Sequence, residues 1–383
     1  MLSLRAERER AAGLLRRDRW RLGIVIGVVT LAIAGLLVLA GGKPVPPGPS
    51  AYDAGTTDPA AATVPVLAGY VEQARGLRFP RPPVVRVTDA ATISRAAAES
   101  TAADSGGRAL TDRALGFAGE PATTSPIAAY SYRQHAVYLR QGQPLDAATR
   151  VAMVHVLTLA LQDQNADLAT LRRQAADDPD QARALAALIE GDATRVELAY
   201  LDSLPAGDQA AVRAQQDHSP SPASYGRLAA AFPAAVGGEF AAALAERGGN
   251  PAVDAAFRRP PTSTAQVIDP KTYVEGIEPL GVRPPPGDGQ RVDAGTLGEF
   301  GLAALITGGR RATNAGAAGR WLGDRYGTFR TGQGLCAYVN IVLADTESRE
   351  QLLRDLGRFV ATRGGRASVT RSADRGARLR SCA

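Results

Sequence analysis

Val151–Gln164 reads VAMVHVLTLALQDQ, an apolar run broken at its centre by one histidine and closed by a polar tail. Runs of this length exceed an ordinary strand, and the apolar residues occur almost all round a 3.6-residue period. A helix of that kind is buried on every side. Asp146 stands where an N-cap belongs, so the expected helix covers about 147–164. The spacing predicts two further long helices, about 181–201 and 223–247, the latter broken near Gly237 and Gly238.

Strands are expected on either side of these helices. VVRVTD (84–89) is a short strand, and AAYSYRQHAVYLRQGQPLD (128–146) has aromatic and β-branched residues around a polar middle, as a hairpin does. The stretch 91–120 reads as helical. Toward the C-terminus, 297–306 and 312–322 read as helices, CAYVNIVLAD (336–345) as a strand and 348–364 as a helix. ASVTRSADRGARLRSC (367–382) reads as a hairpin turning near Asp374–Gly376. The fold class is therefore α+β and mostly helical, with a small C-terminal α/β part from about 332 to 383.

The N-terminus carries a separate message. Leu22–Ala40 is an uncharged apolar run long enough to cross a bilayer as a helix. Arg5, Arg8, Arg10, Arg16, Arg17, Arg19 and Arg21 precede it against Glu7, Glu9 and Asp18, with Trp20 at the interface position. Positive charge on that flank assigns residues 1–21 to the cytoplasm and the bulk of the chain to the far side. The alternative is a signal peptide cleaved after Val38 and Ala40, which exports the remainder equally. Residues 41–64, rich in Pro and Gly, form a tether, and 65–383 the folded extracytoplasmic region.

Lys+Arg number 44 against 38 Asp+Glu, a formal charge of +6, and the lysines are Lys43 and Lys271 alone. No aromatic-interleaved basic patch or reader motif accompanies the charge, so nucleic acid is not an expected partner. Two cysteines, Cys336 and Cys382, lie in the exported part. An even count in an oxidising compartment implies a bridge, here tying the start of a strand to the end of the last hairpin. Closing a loop of roughly 45 residues stabilises by about 3–4 kcal/mol in the chain-entropy account.

The order of several segments resembles a family of predicted bacterial membrane-anchored zinc metallopeptidases of the gluzincin type. In that family the buried helix reads HELTHALQDQ and a later helix carries EGDA. This chain has HVLTLALQDQ (155–164), LIEGDATRVELAYL (188–201), RPPTSTAQVIDPKTY (259–273), GTLGEFGL (295–302) and AAGRWLGDRYGTF (317–329), covering about 66–338. The resemblance implies a zincin-like domain. It also implies a missing catalytic set. Two histidines at i and i+4 share a helix face and hold zinc together, with the intervening glutamate as general base. Here His155 remains, but Val156 takes the base position and Leu159 the second ligand position. Glu190 stands at the third ligand position. His135 and His218 lack ligand spacing, and Ala265 and Asp269 replace polar groups of the Pro-rich loop.

A catalytic zinc takes three protein ligands and keeps an open position; His155 and Glu190 supply two. The site is thus expected to be degenerate (His155, Val156, Leu159, Glu190), with no catalytic residue, no metal and no cofactor. His155 is expected to be buried and bonded to a carboxylate, Glu190 being its natural partner, and Gln162, Asp163 and Asp192 to be network residues. The expected function is a membrane-tethered, catalytically inactive metallopeptidase-like protein that binds a peptide, protein or anionic polymer of the cell envelope. The alternatives are a zinc peptidase with non-standard ligands and an envelope assembly factor. The last would use its basic tail or the arginines 363, 366, 371, 375, 378 and 380.

Overall fold

A computed structural model describes residues 62–383 other than 102–105, 118–125, 218–223, 311–312, 314, 333 and 373–374. The expected cytoplasmic tail, the apolar run 22–40 and nearly all of the tether lie outside the described residues, as does His218. In chain order the elements are α1 (Val64–Arg75), β1 (Val84–Thr88), α2 (Ala90–Thr101), α3 (Gly106–Leu115), β2 (Ala128–Ser131) and β3 (Ala136–Arg140). Then come α4 (Ala147–Ala166), α5 (Leu168–Ala175), α6 (Pro179–Ser203), α7 (Ala206–Asp217), α8 (Tyr225–Arg258), α9 (Thr264–Ile268) and α10 (Pro270–Val274). The C-terminal third contains β4 (Gln290–Gly295), α11 (Gly298–Thr307), β5 (Trp321–Thr331), β6 (Gly334–Leu343), α12 (Thr346–Thr362), β7 (Ala367–Arg371) and β8 (Gly376–Cys382). The architecture is α+β and mostly helical, with two sheets.

Helix α4 forms where the apolar run demands. The Asp146 carboxylate accepts a hydrogen bond from Thr149 N at 2.8 Å, a cap that stabilises a helix by about 1 kcal/mol. Met153, Val154, Val156, Leu157, Leu159, Ala160 and Leu161 are all buried. Helix α6 begins with Pro179 in its first turn and Asp178 as cap. It packs along α8 through two glycines: a Cβ on Gly191 would lie 2.1 Å from the Gly237 carbonyl oxygen, and one on Gly237 2.1 Å from the Ala187 carbonyl oxygen. Only a side chain without Cβ allows that approach.

Gly237 therefore does not break the third long helix, contrary to the sequence reading. The kink comes later, at Gly248 and Gly249, where φ/ψ leave the helical region. Among the described residues α8 is the one helix long and apolar enough to cross a membrane. Its Leu228, Phe232, Phe240 and Leu244 are buried in the same cluster as α4 and α6.

The β2–β3 pair is antiparallel as the sequence suggests, and β1 adds to β3 in parallel, giving the order β1-β3-β2. The second sheet is antiparallel throughout, in the order β4-β5-β6-β8-β7. Its edge strand β4 begins at Gln290, and 321–331 forms β5, a strand where the sequence reading had a helix ending near 322. One 3-10 turn (Gly316–Arg320) precedes it. Two glycines hid this strand from helical counting. Gly323 sits beneath the Leu280 backbone and Gly327 beneath the Phe329 ring, so neither position tolerates the side chain that would have marked the alternation. The sheet's inner face (Tyr326, Val339, Ile341, Leu379) joins the main core among the described residues. Cys336 and Cys382 are register partners on β6 and β8 and form a disulfide.

Candidate functional site

Helices α4 and α6 bring His155 and Glu190 together. The imidazole Nε2 lies 3.1 Å from Glu190 Oε2, and Nδ1 lies 2.8 Å from Glu197 Oε2. Glu190 and Glu197 are seven residues apart on α6, two helical turns on one face, so the ring is held edge-on between two carboxylates. All three side chains are 19% exposed. Burial alone would push the imidazole toward its neutral form. The hydrogen bonds and charges of Glu190 and Glu197 outweigh it and hold the pKa at about 10. His155 is thus an imidazolium at neutral pH, the cation of a carboxylate–imidazolium–carboxylate triad.

Val156 and Leu159 are 4% and 3% exposed and belong to the main core. Where the resemblance puts a general base and a second ligand, this chain has packed hydrocarbon. Zinc needs a free lone pair on a neutral imidazole, and both nitrogens of His155 are engaged by carboxylates. Among the described residues no group of three or more His, Cys, Asp or Glu is disposed to hold a metal. The residues present therefore do not fit the zinc that the resemblance implies, and no chemical step is derived through it.

The rest of the EGDA segment has structural work. Asp192 is fully buried. Its carboxylate accepts from Arg75 Nε at 2.7 Å, Gln162 Nε2 at 2.9 Å and the Arg195 guanidinium at 2.9 Å. Arg75 also donates to Asp254, and Arg195 to Asn250, which tie α1, α4, α6 and α8. A buried charge is tolerated when paired and bonded in this way. Asp163 accepts from the Tyr130 hydroxyl at 2.6 Å and lies 2.8 Å from His135 Nδ1. His135 is far from the triad in role: it closes the β2–β3 turn with φ +47° and pins the hairpin to α4. Asp269 caps α10 through Lys271 N at 3.1 Å.

Sequence reasoning missed Glu197, although the seven-residue interval from Glu190 could have placed it on the same face. It also missed a set of buried acids around the start of α11. Asp180 accepts from Thr264 Oγ1 at 2.6 Å and Thr264 N at 3.0 Å. Burial raises its pKa to about 7 despite those bonds. Asp324 accepts from Leu297 N, Gly298 N and Trp321 Nε1, all at 2.9 Å, and burial still holds it at about 6. Glu299, 8% exposed, is pushed up to about 8 by burial and by the charges of Asp180 and Asp269. Asp180 docks the start of α9 onto α6, and Asp324 holds the start of α11 against β5.

Comparison with family models, curated proteins and solved structures gives no match.

Proposed function

We propose that this chain is a membrane-tethered, catalytically inactive relative of the zinc metallopeptidases, whose exported part binds a peptide, protein or polymer of the cell envelope. The observation that carries the reading is the closed triad. His155 gives both its nitrogens to Glu190 and Glu197, and Val156 and Leu159 fill the space beside it with hydrocarbon. A site built this way has neither a metal-bound water nor a base to activate one. The retained EGDA helix then serves packing and charge pairing, which keeps the scaffold without the chemistry. The test is metal content and peptidase activity of the purified chain. The expected result is less than one zinc per ten chains and no chelator-sensitive cleavage; stoichiometric zinc, or cleavage abolished by chelator, overturns the reading.

A further inference from the structure

The small sheet β1-β3-β2 packs on both of its faces. Ala128, Tyr130, Val137 and Leu139 belong to the main core, so by the two-residue alternation of a strand Ala129, Ser131 and Tyr138 point the other way. There α2 lies across them, and Ile93, Ala96, Ala129 and Tyr138 form an apolar cluster of their own. Between α2 and the β2–β3 turn is a cleft of about 430 Å³, within the range of about 300–1,000 Å³ that small-ligand sites occupy. Ala96 and the Tyr138 ring contribute its apolar surface. Thr92, Arg95 and Glu99 line it from α2, and Ser131, Arg133 and Gln134 from the hairpin.

Glu99 frames this cleft. Its Oε2 accepts from the Ser131 hydroxyl at 2.9 Å and from Arg133 N at 3.2 Å, while Ser131 Oγ accepts from Gln134 N at 3.1 Å. Those bonds fix the turn against α2 and leave other donors free. Arg95 gives Nη2 to Thr92 Oγ1 at 2.9 Å and has no ion pair among the described residues. The Tyr138 hydroxyl oxygen lies 3.5 Å from Arg86 Nη1, an arrangement that leaves the phenol its own proton to donate. The side-chain amide of Gln134 has no partner among the described residues.

Charge narrows what such a cleft takes. Arg95 and Arg133 against Glu99 leave its lining with one positive charge in excess. Just outside the lining, Arg86 is offset by Asp89, whose carboxylate is held by Thr92 N and Oγ1. One added negative charge is thereby neutralised, whereas a phosphate dianion would bring a second charge close to Glu99. A guanidinium fork matches the two oxygens of a carboxylate, and Tyr138 and Gln134 supply further donors. Ala96 and the Tyr138 ring offer apolar surface for a small side chain beside it. Arg95, Arg133 and Gln134 are exposed, so the mouth is open for a chain to continue outward.

We infer that the cleft between α2 and the β2–β3 turn binds the C-terminal carboxylate of a peptide with small apolar side chains. The inference gives the proposed binding function a ligand and a place. The cleft lies on the face of the sheet away from the main core, so it does not rest on the inactive site and stands or falls separately from zinc content.

The test uses the full chain in nonionic detergent at about 50 mM salt, with trialanine labelled by fluorescein at its N-terminus and followed by anisotropy. Saturable binding is expected, displaced by unlabelled N-acetyl-trialanine, with the C-terminal amide of the labelled peptide at least about tenfold weaker. R95Q alters an exposed position and is expected to fold, as circular dichroism will check; it should weaken binding by about tenfold or more. Tyr138→Phe, which removes one oxygen, should weaken it by about two- to tenfold, and R213Q should stay within about twofold of the parent. Four outcomes overturn the inference: no saturable binding by the parent, equal binding of acid and amide, equal losses in R95Q and R213Q, or displacement by inorganic phosphate or acetate as effective as that by N-acetyl-trialanine.

Discussion

Replacing His155 with leucine removes the cation of the triad and leaves Glu190 and Glu197 facing one another across a gap of similar volume. The size of the loss follows from linkage. An imidazole moved from about 6.5 to about 10 binds its proton more tightly in the folded state, and each unit is worth 1.36 kcal/mol. At pH 7 the unfolded histidine is largely deprotonated and the folded one is not, which gives about 4 kcal/mol. Exposure of 19% at each side chain admits some solvent screening, so about 3 kcal/mol is expected in practice.

The sign is fixed by the direction of the shift. Because the folded pKa is raised, the contribution is complete below about pH 6.5 and disappears as pH climbs through about 10. Urea unfolding of parent and His155→Leu at pH 7 and pH 10.5 is the assay. The gap between them should be about 3 kcal/mol at pH 7 and should narrow at pH 10.5. A gap below 1 kcal/mol at pH 7, or one that is the same at both pH values, would refute the charged-triad reasoning.

Two further perturbations probe the same region. Leu159→His restores the i, i+4 pair, but zinc must displace a proton from His155 and break one of its carboxylate bonds; apparent affinity should therefore rise about tenfold per pH unit between pH 7 and 9, measured by competition with a chromophoric chelator. A variant that folds and ignores zinc at pH 9 would count against the helix geometry. Glu299→Gln should be neutral near pH 5 and stabilising above pH 8, by roughly 3–4 kcal/mol, because ionising a carboxyl whose pKa is raised to about 8 destabilises the fold as pH rises. Melting curves of parent and variant that stay parallel from pH 5 to 9 would contradict it.

What could be read from the sequence separates along a physical line, between interactions whose partners are close in sequence and those whose partners are not. The α4 helix, its Asp146 cap and the β2–β3 hairpin are local: period, cap and turn lie within a few residues of each other. The disulfide was accessible for a different reason, since two cysteines leave one intramolecular pairing. The His155–Glu190 contact came from a resemblance, and Glu197 was within reach of simple helical spacing. The strand β5 was not: Gly323 is small on account of Leu280, which reaches it through tertiary folding, and Gly327 on account of the Phe329 ring, which folds back over it from two residues along the same strand.

Asp180 makes the same point most sharply. It stands second in α6, behind Pro179, where an acidic residue ordinarily complements the helix dipole at the surface. Its carboxylate instead turns inward to Thr264, 84 residues away, and a Cβ on Gly298 would lie 1.8 Å from its Oδ1. Gly298 has φ +72° and donates its N–H to Asp324, so glycine there meets two demands at once, a left-handed backbone and contact with a buried carboxyl. Neither demand has a local signature. Two of the buried acids, Asp180 and Glu299, therefore stand at positions that look like routine helix starts, while His155 owes its charge to Glu190 inside the EGDA motif and to Glu197 two turns beyond it.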